Sequence, residues 1–188
     1  TADSFEQAKP SFIEREQQGA KLELINAAQI RELEPQLKMP FSGAVYYPNT
    51  YHSLDPQLYS ASLFNHFSRN GGVFRQEKIM QINPLDQQGV IELRSVLHSA
   101  LYDQLVIATG AATRALVEQL HLSIPQVCER GYHLMLKDSA LVLNRPIAWM
   151  NQGVHMTPMN SAIRVAGTAE YTENDAPPSE SRKAVMLK

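Results

Sequence analysis

The sequence predicts an α/β chain with α+β character, and three observations predict it. Leu105 to Ala108 is an unbroken apolar run with two β-branched residues. It passes through Thr109-Gly110 into apolar residues at helical spacing, so it reads as a strand buried on both faces, a glycine turn and a helix. Between residues 73 and 102 three strand candidates follow one another closely with turn signals between them, which predicts an antiparallel meander. From Gln126 to Gly167 a second series of short strand candidates alternates with turns rich in Asn, Gly and Pro.

In chain order, Thr1 to Lys21 is polar without a clear period and reads as a partly ordered lead-in, with a strand near Phe12-Ile13. Leu22 to Ile25 is a short apolar stretch. Asn26 followed three residues later by Gln29 is a capping-box arrangement for a helix over Ala27 to Glu34, which Pro35 stops. Gly43 to Pro48 is strand-like. Asp55-Pro56 supplies a cap and a first helical residue, Leu58, Ala61, Leu63, Phe64 and Phe67 the apolar face of the helix, and Asn70-Gly71-Gly72 its end.

The meander candidates are Val73 to Ile82, Gly89 to Ser95 and His98 to Tyr102, with a turn at Asn83-Pro84-Leu85-Asp86. The helix after Gly110 spans Ala111 to Leu120, and Ser123-Ile124-Pro125 breaks the chain. Gln126 to Leu136 is a long strand candidate whose internal Gly131 suggests a bulge or a close approach. Leu141 to Leu143, Ile147 to Met150, Val154 to Thr157 and Ile163 to Gly167 are the remaining strands. An acidic, Pro-containing loop over Thr172 to Ser179 then leads into a helix over Ser181 to Lys188.

The 188 residues suffice for one large or two small domains, and 44% hydrophobic with 19% charged residues is ordinary for a globular protein. A net charge of -2 favours neither nucleic acid nor an anionic membrane. No apolar run approaches the roughly 20 residues of a membrane helix. The start Thr1-Ala2-Asp3-Ser4 lacks the features of a signal peptide. The single Cys128 excludes an internal disulfide, fits a cytoplasmic, reducing setting and argues against a Cys-rich zinc site.

Motifs for familiar chemistries are absent. There is no Gly-x-Ser-x-Gly elbow, no phosphate loop and no His-Glu-x-x-His pair, and no two glycines lie two residues apart, so a Gly-x-Gly-x-x-Gly fingerprint does not occur. None of the six histidines pairs at a metal-binding spacing. His66, His98 and His121 read as surface or satisfied core residues. His52, in a polar loop before a capped helix, and His155, mid-strand among apolar residues, are placed to present a functional group. By the period of two, Val154, Met156 and Pro158 share one face of their strand, and His155 and Thr157 the other.

Leu105 to Ala111, a helix, and then Arg130-Gly131-Tyr132 resemble the FAD-dependent amine oxidoreductases, the group of D-amino-acid dehydrogenase, glycine oxidase and sarcosine oxidase. Three further stretches agree in order. Gly43 to Pro48 through His52-Ser53-Leu54-Asp55-Pro56 is similar to the family's tyrosine–proline and His-x-Asp-Pro segment, with one extra residue between His and Asp. Gly71-Gly72-Val73 followed by Ile79 resembles its entry to the meander. Arg164 to Glu170 resembles its strand and Gly-Gly-Thr-x-Glu segment, with Ala166 in place of the first Gly. The match runs from about residue 22 to 175. The family's first βαβ unit with its fingerprint and its last, Arg-containing segment have no counterpart in this sequence, which therefore reads as the middle of such an enzyme, inactive and without FAD by itself.

The resemblance implies part of a Rossmann-like FAD domain with a β-meander at residues 53–123 and 173–188. An antiparallel substrate-domain sheet at residues 40–52 and 124–172 would interleave with it, after a lead-in and helix at 1–39. It implies that Thr109 and Gly110 face the flavin, that the Ile79 backbone lies beside the adenine, and that His52, Tyr132 and His155 line the substrate pocket, with no catalytic side chain and no metal. The implied reaction is hydride transfer from an amine or D-amino acid to FAD. It implies no nucleic acid partner and no membrane span, and is compatible with peripheral membrane association of the full-length enzyme. The residues also admit a second reading, a cofactor-free α+β module that binds a ligand or a protein.

Overall fold

The computed structural model describes residues 2–85, 89–173 and 175–186. Chain contacts divide it into two units. The first comprises Thr1–Ser62, Gly131–Thr168 and Glu180–Lys188, the second Leu63–Arg130 and Ala169–Ser179. Helices and antiparallel sheets make up both, and no described helix is long and apolar enough to cross a membrane.

The first unit opens with helix α1, Ala2–Gln17, where a lead-in with a strand at Phe12-Ile13 is expected. The reason is visible in the burial. Phe5, Ala8, Lys9 and Phe12 are its half-buried residues among those whose burial is described, a stripe at i, i+3, i+4 and i+7 that carries the helix through Pro10. The Lys9 stem completes the stripe while its ammonium pairs with Glu6 at 2.6 Å. The Phe5 ring stands 2.7 Å from where a Cβ of Gly43 would be, so any larger residue there would have to displace that ring. Strand β1, Glu23–Asn26, pairs antiparallel with β2, Gly43–Tyr46. Between them α2, Ala27–Leu33, carries the expected capping box. The Asn26 side chain accepts from the Ala28 and Gln29 N–H groups, and the Asn26 N–H donates to Gln29 Oε1 at 2.9 Å.

The main sheet has the order β6-β9-β8-β7, from β6 (Glu129–Lys137), β7 (Ile147–Trp149), β8 (Val154–Pro158) and β9 (Ala162–Tyr171). Leu141–Leu143 is a loop instead of the expected strand. Leu143 is buried, and the Val142 and Asn144 N–H groups find Gln36 Oε1 and Glu34 Oε2 in place of a ladder. Gly131 is not closely approached by a neighbour: a Cβ there would meet open space. The last helix, Glu180–Met186, is α5; Leu187-Lys188 lie outside the described residues.

Helix α3, Pro56–Arg69, begins where Asp55 Oδ1 accepts from the Leu58 N–H at 2.8 Å and ends before Gly71, whose φ of +86° only glycine adopts freely. None of its residues is buried, so its apolar face is an exposed one. In the second unit Phe74 packs edge-on against Phe64, centroids 5.3 Å apart.

The meander is present, with β4 (Val90–Ser95) between β3 (Ile79–Leu85) and β5 (Ser99–Tyr102). Its first strand is displaced from the expected range, because residues 73–78 are irregular and the ladder continues through Asn83-Pro84-Leu85, where a turn is expected; Asp86 lies outside the described residues. Asn83 bonds the Glu92 carboxylate across the ladder at 3.0 Å, and Pro84 is tolerated because β3 is an edge strand.

Leu105–Ala108, expected as a doubly buried strand, is not a strand, and Val106 is 86% exposed. A strand buried on both faces needs strands paired at its edges and a layer packed on each face, and no described strand pairs with this run. The helix after it keeps its place but not its pitch. A 3-10 turn, Gly110–Ala112, leads into α4, Thr113–Val117, and a second 3-10 turn, Glu118–Leu120, follows.

Candidate functional site

The six residues singled out by sequence fall into two groups, one in each unit. His52, Tyr132 and His155 belong to the first, and Ile79, Thr109 and Gly110 to the second.

In the first unit, strand register assigns the faces. His155 stands opposite Ala148 on β7 and Ala166 on β9, and Thr157 opposite Arg164, so these five share one side of the sheet. Ile147, Met156 and Val165 form a row on the other side, next to Pro158 and Ile163, and Ile163 is 4% exposed. His155, Ala148 and Arg164 are exposed while Val154, Met156 and Pro158 are half-buried, as expected of β8, but Thr157 and Ala166 on the His155 side are half-buried too, so the alternation of burial holds only to Met156. His52 is half-buried, with Nε2 3.2 Å from the Pro158 carbonyl oxygen. A carbonyl only accepts, so this contact places the proton on Nε2 and leaves Nδ1 of the neutral ring as an acceptor. The Asn160 N–H donates to the Leu54 carbonyl at 3.1 Å. Together the two bonds fasten the loop of residues 52–54 to the end of β8, the strand that carries His155. Tyr132 lies on β6, separated from β8 by β9. It is one of the half-buried residues of its strand, with Arg130 and Leu134, whereas His133 is exposed. The structure therefore joins His52 to the His155 strand and puts Tyr132 among the covered residues of the same sheet.

In the second unit, Thr109 and Gly110 form an exposed turn. Gly110 has φ of +57°, and a Cβ on it would meet nothing within 4 Å, so the turn presents bare backbone with room in front of it. Thr109 Oγ1 lies 3.1 Å from Thr113 Oγ1. Ile79 is the first residue of β3, paired with Ser95, and the register shifts between Ile79 and Gln81, leaving Met80 as an extra residue.

Sequence reasoning missed two residues here. The Gln119 carboxamide accepts from the Ile82 N–H at 3.1 Å and donates to the Met80 carbonyl at 3.2 Å, closing the irregularity beside Ile79. The Gln126 carboxamide accepts from the Arg114 N–H at 3.0 Å and donates to the Gly110 carbonyl at 2.8 Å, closing the turn. No motif marks either glutamine. A cavity of about 340 Å3 adjoins the turn, lined by Ala111, Arg114, Gln126, Cys128 and Thr172 among others. Beyond it, Arg130 pairs with Glu170 at 3.2 Å and donates to the Ala176 carbonyl at 2.5 Å, fixing the start of the acidic loop. Among the described residues no group of His, Cys, Asp and Glu could hold a metal ion.

The family model of the FAD dependent oxidoreductases (DAO) matches residues 2–188. The chain belongs to this family. The D-amino-acid oxidase of Bradyrhizobium diazoefficiens is 25% identical over 162 residues, 86% of this chain and 38% of that protein. The D-amino acid dehydrogenase of Vibrio cholerae is 27% identical over 175 residues, 90% of this chain and 41% of that protein. Among solved structures, glycine oxidase from Geobacillus kaustophilus superposes with a TM-score of 0.82 at 18% identity, over 99% of this chain and 51% of that one. L-proline dehydrogenase from P. horikoshii gives 0.77 at 12% identity, over 98% and 51%. The fold is thus that of these flavoproteins, and the chain spans about two fifths to one half of the relatives' lengths.

FAD is the cofactor of the family. The turn at Thr109-Gly110 fits such a group: unobstructed glycine backbone allows a flat ring or a phosphate to approach where any side chain would stand in the way.

Proposed function

We propose that these residues are the central part of a flavin-dependent enzyme that oxidises a small amine or D-amino acid. The four-stranded sheet would face the substrate, and the meander and the Thr109-Gly110 turn would face FAD. The observation that carries this reading is the pairing of a family match over residues 2–188 with a sheet face on which His155 is exposed between two alanines, beside Thr157 and Arg164. FAD supplies the hydride acceptor. This chain's own residues bind and orient. His155, between two alanines, has space around its imidazole for a small substrate, and a neutral ring holds or accepts one hydrogen bond from the amine. His52 keeps the end of that strand in place through Pro158. Thr109 and Gly110 would sit against the flavin and the Ile79 backbone beside the adenine.

Two measurements test this. In the full-length enzyme, His155→Ala should lower kcat/KM for the amine about tenfold or more, equivalent to roughly 1.4 kcal/mol, with FAD content and Tm unchanged. Unchanged turnover of every accepted substrate would remove His155 from the pocket. Residues 1–188 alone should show no turnover, and an FAD titration should give a Kd weaker than about 1 μM; tighter binding would mean that this stretch holds the cofactor unaided.

A further inference from the structure

We infer that Gln119 and Gln126 are positioning residues that hold the backbone of the FAD site in shape, an inference that rests on the cofactor placement proposed above. Both glutamines do the same unusual thing. Each gives its carbonyl oxygen to one backbone N–H and its NH2 to one backbone C=O; Gln119 stands in for a rung of a β-ladder along β3, and Gln126 bridges the two ends of a helical turn. The backbone is irregular at both places: the β3 register slips at Met80, and the turn at Gly110, whose carbonyl also accepts from the Thr113 N–H, leads from an unpaired run into a helix. At Met80 the β3–β4 register slips, and Gln119 takes up the Met80 carbonyl and the Ile82 N–H. At Gly110 the chain leaves the unpaired run 105–108, and Gln126 joins the Gly110 carbonyl to the Arg114 N–H across the first helical turn.

These two places are the ones that carry Ile79 and Thr109-Gly110. Elsewhere in the meander the ladder itself holds the backbone. A carboxamide is the one side-chain group of this length that accepts and donates in a single plane. Glu keeps the acceptor and loses the donor, and Met keeps the length and loses both. Released from Gln126, the left-handed Gly110 has many other conformations open to it, so the turn that meets the cofactor would no longer be preset.

The test uses the full-length holoenzyme with Gln119→Met, Gln126→Met and the isosteric Gln126→Glu. Asn70→Ala serves as a control that removes a carboxamide bond to the His66 carbonyl elsewhere in the second unit. The expected result is at least a tenfold rise in the FAD Kd for each glutamine variant, an altered visible circular dichroism of bound flavin for the Gln126 variants, and faster hydrogen exchange at the Arg114 or Ile82 amide. Asn70→Ala should stay within twofold. Should a Met variant not fold, Gln126→Glu and the exchange of the Arg114 amide decide the matter. If Gly110→Ala weakens FAD but the glutamine variants leave Kd, dichroism and exchange at wild-type values, the clamp role is overturned and the cofactor placement stands. If Gly110→Ala and the glutamine variants all leave FAD binding untouched, the placement falls and the inference with it.

Discussion

The two units are built from the same kind of alternating antiparallel strand, yet they bury it differently. The first encloses Ile25, Ile30, Leu143 and Ile163 together with the carboxylate of Glu34. The second buries only Ile82 and Val117 among its described apolar side chains and leaves Val73, Phe74, Val96, Leu97 and Val106 largely in the open. Alternation sorts side chains into two faces, but it does not supply the layer that covers a face. The first unit has that layer within these residues, from α1, α2 and the loop at Leu143. In the second, exposed apolar surface of this extent is what an interaction site looks like, and the solved relatives are about twice as long.

The sharpest way to break the comparison is through the buried charge. Glu34 is 4% exposed; Arg145 Nε stands 3.3 Å from its Oε1, and the guanidinium lies over the Tyr46 ring at 5.5 Å. The Asn144 N–H donates to the other oxygen at 3.0 Å. Arg145→Ala would strand a carboxylate away from water, and loss of one partner of a buried pair costs about 3–5 kcal/mol. Urea unfolding followed through Trp149, which packs edge-on against Phe41 in this unit, should report a loss of that size. A loss below about 1 kcal/mol would mean that Glu34 is reached by solvent and that the first unit is less closed than its burial indicates.

Truncating one core residue in each unit sharpens the contrast. Ile163 and Ile82 are equally inaccessible at 4%. Ile163 stands in a four-stranded sheet opposite the half-buried Pro158 and beside the row of Ile147, Met156 and Val165, whereas Ile82 lies on an edge strand with the exposed Met80 and Gln81 before it, which are free to close a void. Ile163→Ala should cost about 3–4 kcal/mol and Ile82→Ala about 2–3 kcal/mol, since the cavity term depends on how far a site relaxes. Native-state hydrogen exchange resolves the units separately. An equal or reversed order would show that the second unit is as tightly packed as the first.

The same contrast explains how much was legible in the sequence. Local chemistry was: the Asn26 capping box, the Asp55 cap, the left-handed Gly71 and the face assignment of His155 all depend on residues a few positions apart. Long-range pairing was not. Leu105–Ala108 has the composition of a buried strand and lacks a described partner, and Leu143 is buried without lying on a strand because Gln36 and Glu34, more than a hundred residues away, take the N–H groups of Val142 and Asn144 on either side of it. The α1 stripe went unread because Lys9, a polar residue, completes it. Gln119 and Gln126 carry no signal at all, since their roles exist only once a strand register and a turn are in place.

Glu92 offers a smaller, pH-resolved probe of the second unit. The hydrogen bond from Asn83, and then Arg94 at 3.0 Å, hold its carboxyl below the usual carboxylate value. A depressed folded-state pKa stabilises the fold above the unfolded value of about 4.3, and that contribution is lost as the pH falls through the lower, folded value. The Tm difference between wild type and Glu92→Gln should therefore be constant near neutrality and shrink toward zero below about pH 4. A difference that is flat down to pH 3 would leave the meander without this ionic contribution.

The smallest effect separates the two explanations of the open second unit. If the exposure of Val106 at 86% reflects a missing cover, Val106→Ser in residues 1–188 removes no contact and should change stability by less than about 0.5 kcal/mol. In the full-length polypeptide the same substitution would place a hydroxyl in a strand with neighbours on both sides. There it should cost about 1–3 kcal/mol, through lost apolar burial and a hydroxyl without a partner. Chemical denaturation of both proteins gives the comparison directly. Equal values in the two would mean that the run 105–108 stays uncovered in the complete enzyme.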